Sequence, residues 1–200
     1  DRQQDGTLVP LKSTGVDTGL GLERVAAVLQ HENNNYDIDI FKQLTSAIVE
    51  LTPKAKKINS DNASVRVIAD HIRSTSFMIS DGVTPSNEGR GYVLRRIIRR
   101  AIRHGHKLGI EEVFFFKLVK TLAKQNKKAY PELFSNVSQI EKVLEKEEGR
   151  FIQTLDLGMG ILEEAIKSAS GNEIDGNAVF KLYDTYGFPV DLTADVARER

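Results

Sequence analysis

The sequence has no cysteine and no tryptophan, and its 200 residues include only 2 methionines. The absence of cysteine excludes disulfides, thiolate zinc sites and cysteine nucleophiles within these residues, and it fits a reducing compartment. No apolar run approaches the roughly 20 residues needed to cross a bilayer, and no charged-then-apolar leader opens the chain. Apolar residues nevertheless make up 40% of the chain, which is enough for a core. We therefore expect a globular protein of the cytoplasm with no membrane contact.

The net charge is zero, with 28 Lys and Arg against 28 Asp and Glu, but the charges are unevenly placed. Residues 89–110 contain basic side chains and no acidic one, whereas residues 141–148 are rich in glutamate. The chain begins at Asp1 rather than at a methionine and stops at Arg200 within a charged helical pattern. We interpret it as a segment of a longer protein, with room for one domain or for one domain and a piece of another.

The hydrophobic spacing predicts a short extended start followed by helices. Asp5-Gly6 is a hairpin-type turn pair, and the apolar residues that follow it end at Pro10, which suits a strand at a sheet edge. From Leu22 onwards, apolar residues recur at helical spacing. The fold class predicted is therefore mainly α, a short N-terminal β hairpin or strand followed by a multi-helix bundle. The predicted helices start at Leu22 and cover about 37–51, 65–79, 90–107, 111–126, 137–168, 177–186 and a last stretch from about 191.

A glycine-rich turn, VDTGLGLER at residues 16–24, precedes the first helix. Its glycines let the backbone bend tightly and let a ligand approach, and the helix N-terminus offers free N–H groups to an anion. A dinucleotide-binding loop would need a third glycine where Arg24 stands, and the Gly-Lys-Ser/Thr of a P-loop is missing. On these residues alone, a purely structural turn is the more common interpretation.

The Glu-Arg pair of this turn changes the interpretation, because glycines at i and i+2 with arginine at i+5 resemble motif 3 of class II aminoacyl-tRNA synthetases. The full string is similar to the version found in the alanyl-tRNA synthetase family, where methionine is frequent at the position of Leu20. The resemblance implies that Arg24 and Gly21 bind ATP. It also implies that Asp17 receives the ammonium group of alanine and that Gly19 leaves space for this small substrate.

The fourth predicted helix separates its charges from its apolar residues. At about 100° per residue, five arginines and a lysine fall within an arc of about 140°, and apolar residues fill most of the rest. Such a stretch of charges usually forms the solvent-exposed face of a helix. However, six cations without an acid repel one another. This pattern favours a surface that follows RNA phosphates; a membrane surface is a weaker alternative because the apolar face lacks tryptophan. The cations are Arg95, Arg96, Arg99, Arg100, Arg103 and Lys107.

Two further motifs resemble the same family, whose helical region reads a G·U wobble pair in the acceptor stem of tRNA(Ala). PSNEGRGYVLRR at residues 85–96 implies a base-reading amide at Asn87, and LYDTYGFP at residues 182–189 implies that Asp184 accepts an exocyclic amine of guanine. An amide both donates and accepts, so it can test a base edge in the shallow minor groove of A-form RNA. Taken alone, a turn or N-cap residue and a helix-surface carboxylate are the simpler interpretations of these two residues.

No metal site and no hydrolase site is expected in this sequence. The four histidines are His31, His71, His104 and His106, and the last two face different ways on one predicted helix. His71 follows Asp70, which suits a structural hydrogen bond. The Gly-x-Ser-x-Gly pattern of serine hydrolases does not occur.

The resemblance covers nearly the whole chain and implies two parts. Residues 1–32 would end the class II catalytic domain, the predicted strand being a remnant of its sheet, and residues 33–200 would form the helical tRNA-recognition domain. By this resemblance, the parent would activate alanine with ATP and Mg²⁺ and transfer it to tRNA(Ala). No complete catalytic set is present, since motifs 1 and 2 would precede Asp1, so we expect the isolated segment to be inactive. Zinc is expected only in an editing domain beyond Arg200.

The tRNA contacts implied by the motifs and by the cationic face are the two base readers and six arginines. The alternative to this interpretation is a non-catalytic helical module that binds RNA, or one that binds an acidic protein through its basic face. The tRNA-binding residues predicted are Asn87, Asp184, Arg90, Arg95, Arg96, Arg99, Arg100 and Arg103.

Overall fold

The computed structural model describes residues 1–54, 57–169, 171 and 173–199. Within these residues the regular structure is almost entirely α-helical, which confirms a mainly α protein, and no helix is long and apolar enough to span a bilayer. The chain forms two compact units, Asp1–Ile38 and Asp39–Arg200. The helices are α1 (Leu22–Leu29), α2 (Asp39–Leu51), α3 (Ala63–Ser80), α4 (Gly89–Lys107), α5 (Val119–Asn126), α6 (Pro131–Ser135), α7 (Val137–Lys167), α8 (Gly176–Asp184) and α9 (Val190–Arg198).

The predicted N-terminal β hairpin is wrong, because the described part of the first unit contains no strand. Its turn does form: Gly6 adopts a φ of 85°, and the backbone N–H of Thr7 donates to Asp5 Oδ1 over 2.9 Å. Around this turn, however, Arg2 and Leu8 make a single antiparallel bridge. One bridged pair does not make a ladder, and a two-stranded hairpin without a third strand is at best marginally stable. The turn residues were therefore sufficient for the bend but not for a sheet.

The core of the second unit lies between α3, α4 and α7. The α3 helix begins where Asn62 Oδ1 accepts the backbone N–H of Ser64 over 2.9 Å, which satisfies one of the free donors of its first turn. The apolar residues of α3 and α4 pack against each other. The α7 helix packs against both of them, and α2 and α5 pack against α3. Completely buried side chains include Leu44, Ile48, Val65, Ile68, Ile72, Leu94, Ile98, Leu122, Ile140 and Leu144.

The predicted helix over 111–126 starts later than its spacing indicates. A short 3-10 turn, Phe115–Leu118, leads into α5 at Val119. The cause is Glu148 on α7, whose two carboxylate oxygens each accept a backbone N–H over 2.9 Å, from Phe114 and from Phe115. These bonds hold the chain away from α-helical geometry just before the turn. Both phenylalanine rings are buried, as expected for core residues.

The α7 helix runs unbroken for 31 residues and is not part of a coiled coil. Its apolar residues pack against several different neighbours. Gly158 leaves room for the ring of Phe188, which a Cβ at this position would overlap. Phe188 also lies 5.6 Å from the ring of Phe151, centroid to centroid. The two positions that interrupt the heptad pattern, Glu148 and Gly158, are thus places where other parts of the unit attach to α7.

We expect Glu148→Gln to destabilise the second unit, because the amide NH₂ would face one of two backbone donors and leave a buried N–H unsatisfied. Such a loss costs about 1–3 kcal/mol. Burial raises the pKa of Glu148 to about 7, so the native state holds this proton above the usual carboxyl range and wild-type stability falls as pH rises from about 4.5 to about 7. Urea unfolding at pH 5 and pH 8 should therefore show a larger deficit of the variant at pH 5. An equal deficit at both pH values would contradict the shifted pKa.

Candidate functional site

A cavity of about 370 Å³ opens between the α3–α4 loop, the middle of α7 and the end of α8. Its lining carries an amide, a carboxylate, three guanidinium groups and three tyrosines, which makes it a place for a polar ligand rather than an apolar one. Asn87 and Asp184, which are distant in the sequence, both line it and are exposed to solvent. The lining residues are Asn87, Tyr92, Arg95, Arg99, Arg150, Thr154, Tyr183, Asp184, Thr185, Tyr186, Gly187 and Pro189.

The α3–α4 loop is folded tightly and presents Asn87 at the edge of the cavity. Ser86 Oγ donates to the carbonyl of Glu88 over 2.8 Å, and any Cβ at Gly91 would overlap Ser86 and the carbonyl of Thr84. Arg95 donates through Nη1 to Asn87 Oδ1. Since a guanidinium only donates, this contact requires the oxygen of Asn87 to face Arg95. The NH₂ group of Asn87 is thereby left as the outward-facing donor.

The segment after α8 is fixed at three consecutive residues, so that Asp184 at the end of that helix has a defined position. Thr154 Oγ1 donates to the carbonyl of Tyr186 over 2.9 Å. Arg99 donates through Nη1 to the carbonyl of Gly187, which has a φ of 68° and lies too close to Arg99 to carry a Cβ. Phe188 is completely buried. The carboxylate of Asp184 is therefore presented to the cavity by a rigid support.

A single buried carboxylate on α7 holds the two arginines nearest the cavity. Glu147 is 3% exposed, and its Oε1 accepts from Arg99 Nε over 2.9 Å and from Arg99 Nη2 over 2.7 Å. Arg95 Nε lies 3.0 Å from the same oxygen. The Arg99 guanidinium also stacks over the ring of Phe151 at 5.0 Å from its centroid, and burial lowers its pKa. Arg99 is a largely buried structural cation that joins α4 to α7 and to the segment after α8.

The later cations of α4 that do not contact Glu147 have carboxylate partners on α9 or at its C-cap, Glu199. Arg96 Nε lies 3.1 Å from Asp191 Oδ2 and Arg100 Nε lies 3.4 Å from Asp195 Oδ2. Glu199 pairs with two further cations, Arg103 at both carboxylate oxygens and Lys107 at 2.9 Å. The hydrogen bond from Arg103, followed by that from Lys107, lowers the pKa of Glu199 to about 2.

The cationic face of α4 therefore needs no outside polyanion to balance its charge, contrary to the expectation from the sequence. The acids that balance it lie on α7, on α9 and at the C-cap of α9, 48 to 96 residues away in the sequence. A helical wheel of one segment shows only local neighbours, so it cannot show these partners. Of the predicted contacts, Arg99 and Arg103 have side chains only 13% and 7% exposed, whereas Arg96 and Arg100 are about 40% exposed.

The histidines of α3 and α4 act within the fold. His104 Nδ1 lies 3.0 Å from Ser64 Oγ, and burial lowers the pKa of His104 to about 4. His71 Nδ1 lies 2.9 Å from Asp70 Oδ2, and its Nε2 lies 3.3 Å from Arg100 Nη1. Because a guanidinium only donates, Nε2 is the acceptor in the second contact. Across the described ranges, no three His, Asp or Glu side chains come close enough to hold one metal ion.

A comparison with protein-family models matches all of residues 1–200 to tRNA synthetases of class II (A). The chain belongs to this family. Relatives named alanine–tRNA ligase match its whole length, with identities of 68% in Ruthia magnifica subsp. Calyptogena magnifica, 61% in Hydrogenovibrio crunogenus and 57% in Neisseria meningitidis serogroup C. The chain spans 23% of the length of the first two relatives and 22% of the third.

The turn that resembles motif 3 of this class II family lies in the first unit. The segment that carries Asp17 and Gly19 has no regular secondary structure, and both residues are exposed. Gly21 is the N-cap of α1, and a Cβ added at this position would lie in ordinary contact with the aliphatic part of Arg24. The guanidinium is exposed to solvent at the start of α1. The structure thus presents the predicted ATP-contacting and alanine-contacting residues on an open surface.

Two residues of the cavity lining, and one residue behind it, were not singled out by the sequence patterns. Arg150 on α7 is exposed, and among the described residues it takes part in no ion pair. Tyr186 lines the cavity beside Asp184, within a quoted motif but without an assigned role. Glu147 gave no signal because it stands in a glutamate-rich stretch. Matching the charges of residues 89–110 and 141–148 would have paired the two stretches, without singling out Glu147 among four glutamates.

Proposed function

We propose that this class II synthetase chain is the part of an alanine–tRNA ligase that recognises the acceptor stem of tRNA(Ala) and reads its G·U pair. The observation that carries the proposal is that Asn87 and Asp184 line one solvent-accessible cavity although they are distant in sequence. The relatives that match the full chain are named alanine–tRNA ligase. As a whole, that enzyme would activate alanine with ATP and transfer it to the tRNA.

The chemistry of the two readers suits a wobble pair. In a G·C pair the 2-amino group of guanine is bonded to cytosine, whereas in a G·U wobble pair it is left without a partner in the minor groove. Asp184 would accept a hydrogen bond from that amine. The outward NH₂ of Asn87 would donate to an acceptor on the same shallow groove, such as a base oxygen or a 2′-hydroxyl. The contact of Asp184 would favour the wobble pair through its free amine, and Asn87 would add a donor to the same groove.

We assign phosphate contacts to the cations that the fold leaves available. Arg90 is exposed at the first turn of α4 and Arg150 at the rim of the cavity, and neither takes part in an ion pair among the described residues. Arg95 also lines the cavity but is already bound to Asn87 and Glu147. Arg96 and Arg100 would contribute through their exposed edges. Arg99 and Arg103 would act indirectly, by holding α7, α9 and the segment after α8 in place.

Replacing an available phosphate contact should weaken RNA binding without changing its sequence preference. We expect Arg150→Ala to reduce affinity equally for G·U and G·C acceptor stems and to lower the slope of log K against log salt by about 1. Lys120→Ala on α5 is a matched control, because its side chain is exposed and its ion pair with Glu141 is distant from the cavity lining. Titrations over a salt series measure both quantities. An unchanged slope for Arg150→Ala would remove this residue from the interface.

Contacts to ATP and alanine are proposed for Arg24 with Gly21 and for Asp17 with Gly19 in the full-length parent. Mg²⁺ would act there with ATP. Since no carboxylate cluster of the described residues would hold this ion, we assign it no role in this chain. Zinc belongs, in the same proposal, to an editing domain outside these residues. The proposed location is the cytoplasm.

The 200-residue chain alone is expected not to activate alanine. Its motif 3 residues include one arginine for ATP, and the exposed Asp17 and Gly19 do not form an enclosed pocket for an amino acid. Catalysis in this class depends on positioning and charge stabilisation around the phosphates, which one arginine does not supply. ATP–pyrophosphate exchange with alanine should therefore stay at the background rate. Exchange well above that rate would show that the residues described here make a complete adenylation site.

The proposal itself is tested by titrating the chain with two acceptor-stem hairpins that differ only in G·U or G·C at one pair. We expect a preference for the wobble hairpin of at least about fivefold, the lower end of what one read base pair contributes. Equal affinities would reduce the function to general RNA binding. No binding at moderate salt would favour the alternative of a protein-interaction module.

A further inference from the structure

The two proposed reading elements lie on different parts of the chain, yet each is anchored by an arginine of α4. Arg95 donates to Asn87 Oδ1 in the α3–α4 loop. Arg99 donates to the carbonyl of Gly187, three residues after Asp184. Both guanidinium groups converge on one oxygen of Glu147. A buried carboxylate that lines neither reading element is thus connected to both of them.

We infer that Glu147 is a positioning residue that sets the geometry of both readers through Arg95 and Arg99. The inference rests on the proposed function of Asn87 and Asp184 and adds a residue to it. Glu147 would not touch RNA, since its side chain is 4% exposed and is covered by the two arginines. Its contribution would be to discrimination between base pairs rather than to affinity.

The branch through Arg95 controls which end of the Asn87 amide faces the ligand. With Glu147 in place, Arg95 Nε lies 3.0 Å from Glu147 Oε1 in an ion pair without a hydrogen bond of its own, and its Nη1 is directed at Asn87 Oδ1. Without the carboxylate, Arg95 can turn toward solvent or a phosphate, and the amide is free to rotate by half a turn. An amide that presents oxygen as often as NH₂ no longer distinguishes a donor from an acceptor.

The branch through Arg99 controls the position of Asp184. Three donors of Arg99 are committed, two to Glu147 and one to Gly187. Gly187 has a φ of 68° and no space for a side chain against Arg99, so this approach is built into the backbone. Loss of Glu147 releases the guanidinium from α7 and removes one of the supports behind Asp184. Such supporting contacts decide whether a polar site holds its geometry closely enough to discriminate.

The adjacent residue provides a matched control. Glu148 is as buried as Glu147 but accepts from the backbone of Phe114 and Phe115, on another side of α7. Both substitutions, Glu147→Gln and Glu148→Gln, remove one buried carboxylate from the same helix. Only the first alters a residue that contacts the arginines behind the readers. A difference between the two variants therefore separates positioning from general stability.

The test measures the ratio of affinities for G·U and G·C hairpins in variants of the chain that are shown to be folded by circular dichroism. We expect Glu147→Gln to lower the ratio by at least about fivefold while affinity for the G·C hairpin does not fall. Glu148→Gln should keep the wild-type ratio despite a lower midpoint of urea unfolding. In a chain that already carries Asn87→Ala and Asp184→Ala, Glu147→Gln should change the ratio no further.

The outcomes separate the inference from the function on which it rests. A wild-type ratio of one refutes the proposed reading of the wobble pair. A wild-type preference that survives in folded Glu147→Gln, or that falls equally in Glu148→Gln, overturns the inference alone. If Glu147→Gln does not fold, the affinity ratio of Arg95→Lys tests the inference instead. The lysine ammonium group keeps the charge, but it cannot contact Glu147 and Asn87 together as the planar guanidinium does. Retention of the full ratio in Arg95→Lys would then overturn the inference.

Discussion

Arg99→Ala is expected to destabilise the second unit by about 3 kcal/mol, the lower end for breaking a buried ion pair by removing one partner. The substitution removes both hydrogen bonds to Glu147, the bond to the Gly187 carbonyl and the stacking on Phe151. We place it at the lower end because Arg95 remains 3.0 Å from Glu147 and still balances part of its charge. Urea unfolding of the chain, followed by circular dichroism, measures the effect.

Arg96→Ala is the control for this substitution, on the same helix and three residues earlier. Its ion pair with Asp191 is about 40% exposed at both side chains, and pairs of this kind contribute about 0–1 kcal/mol. The two variants remove the same charge and differ in burial. If they destabilise the chain by similar small amounts, Arg99 does not have the structural role that its contacts indicate.

Asn87→Ala and Asp184→Ala are each expected to reduce discrimination between G·U and G·C hairpins by about 1–3 kcal/mol, the usual contribution of one read base pair. The reason is that each side chain supplies a different partner to the same pair, a donor from Asn87 and an acceptor from Asp184. Because both residues are exposed, the substitutions should leave the urea midpoint almost unchanged. The affinity of each variant for the two hairpins is the measurement.

A carboxylate outside the cavity provides the control for Asp184. Asp156 is on α7, is 81% exposed and pairs with His106 at 3.0 Å rather than facing the cavity. Asp156→Ala removes the same charge, so it should raise or lower both affinities together. If Asp184→Ala behaves in the same way as Asp156→Ala, its effect is one of net charge and Asp184 is not a base reader.

The helices were predictable wherever one apolar face decides the structure. Leu22 was expected to begin the first helix, and α1 starts there. The end of α4 at Lys107 and the long run of α7 also agree with the spacing of their apolar residues. The hairpin prediction was wrong because Asp5-Gly6 specifies only a turn. A strand also needs hydrogen-bond partners, which a local sequence pattern does not show. The delayed start of α5 has a similar cause, the distant carboxylate of Glu148.

The sequence predicted the side chains that line the cavity but not the buried ion pairs that hold them in place. The motifs around Asn87 and Asp184 named the two side chains, and the structure brings both to one cavity. Their roles in base reading stay a proposal. The sequence of α4 suggested that its cations lack acidic partners, because Glu147 and Glu199 are far along the chain from Arg99 and Arg103. Sequence patterns therefore indicated which residues could contact a ligand, while the pairing of buried charges emerged only from the tertiary structure.

The central claim, that Asp184 accepts the free 2-amino group of a wobble guanine, is tested most directly by replacing that guanine with inosine. Inosine lacks only this amine, so the I·U hairpin keeps the wobble geometry. The account predicts that wild type loses at least about fivefold in affinity on this replacement, and that Asp184→Ala, with no acceptor for the amine, loses nothing further. The same loss in wild type and in Asp184→Ala would contradict the claim.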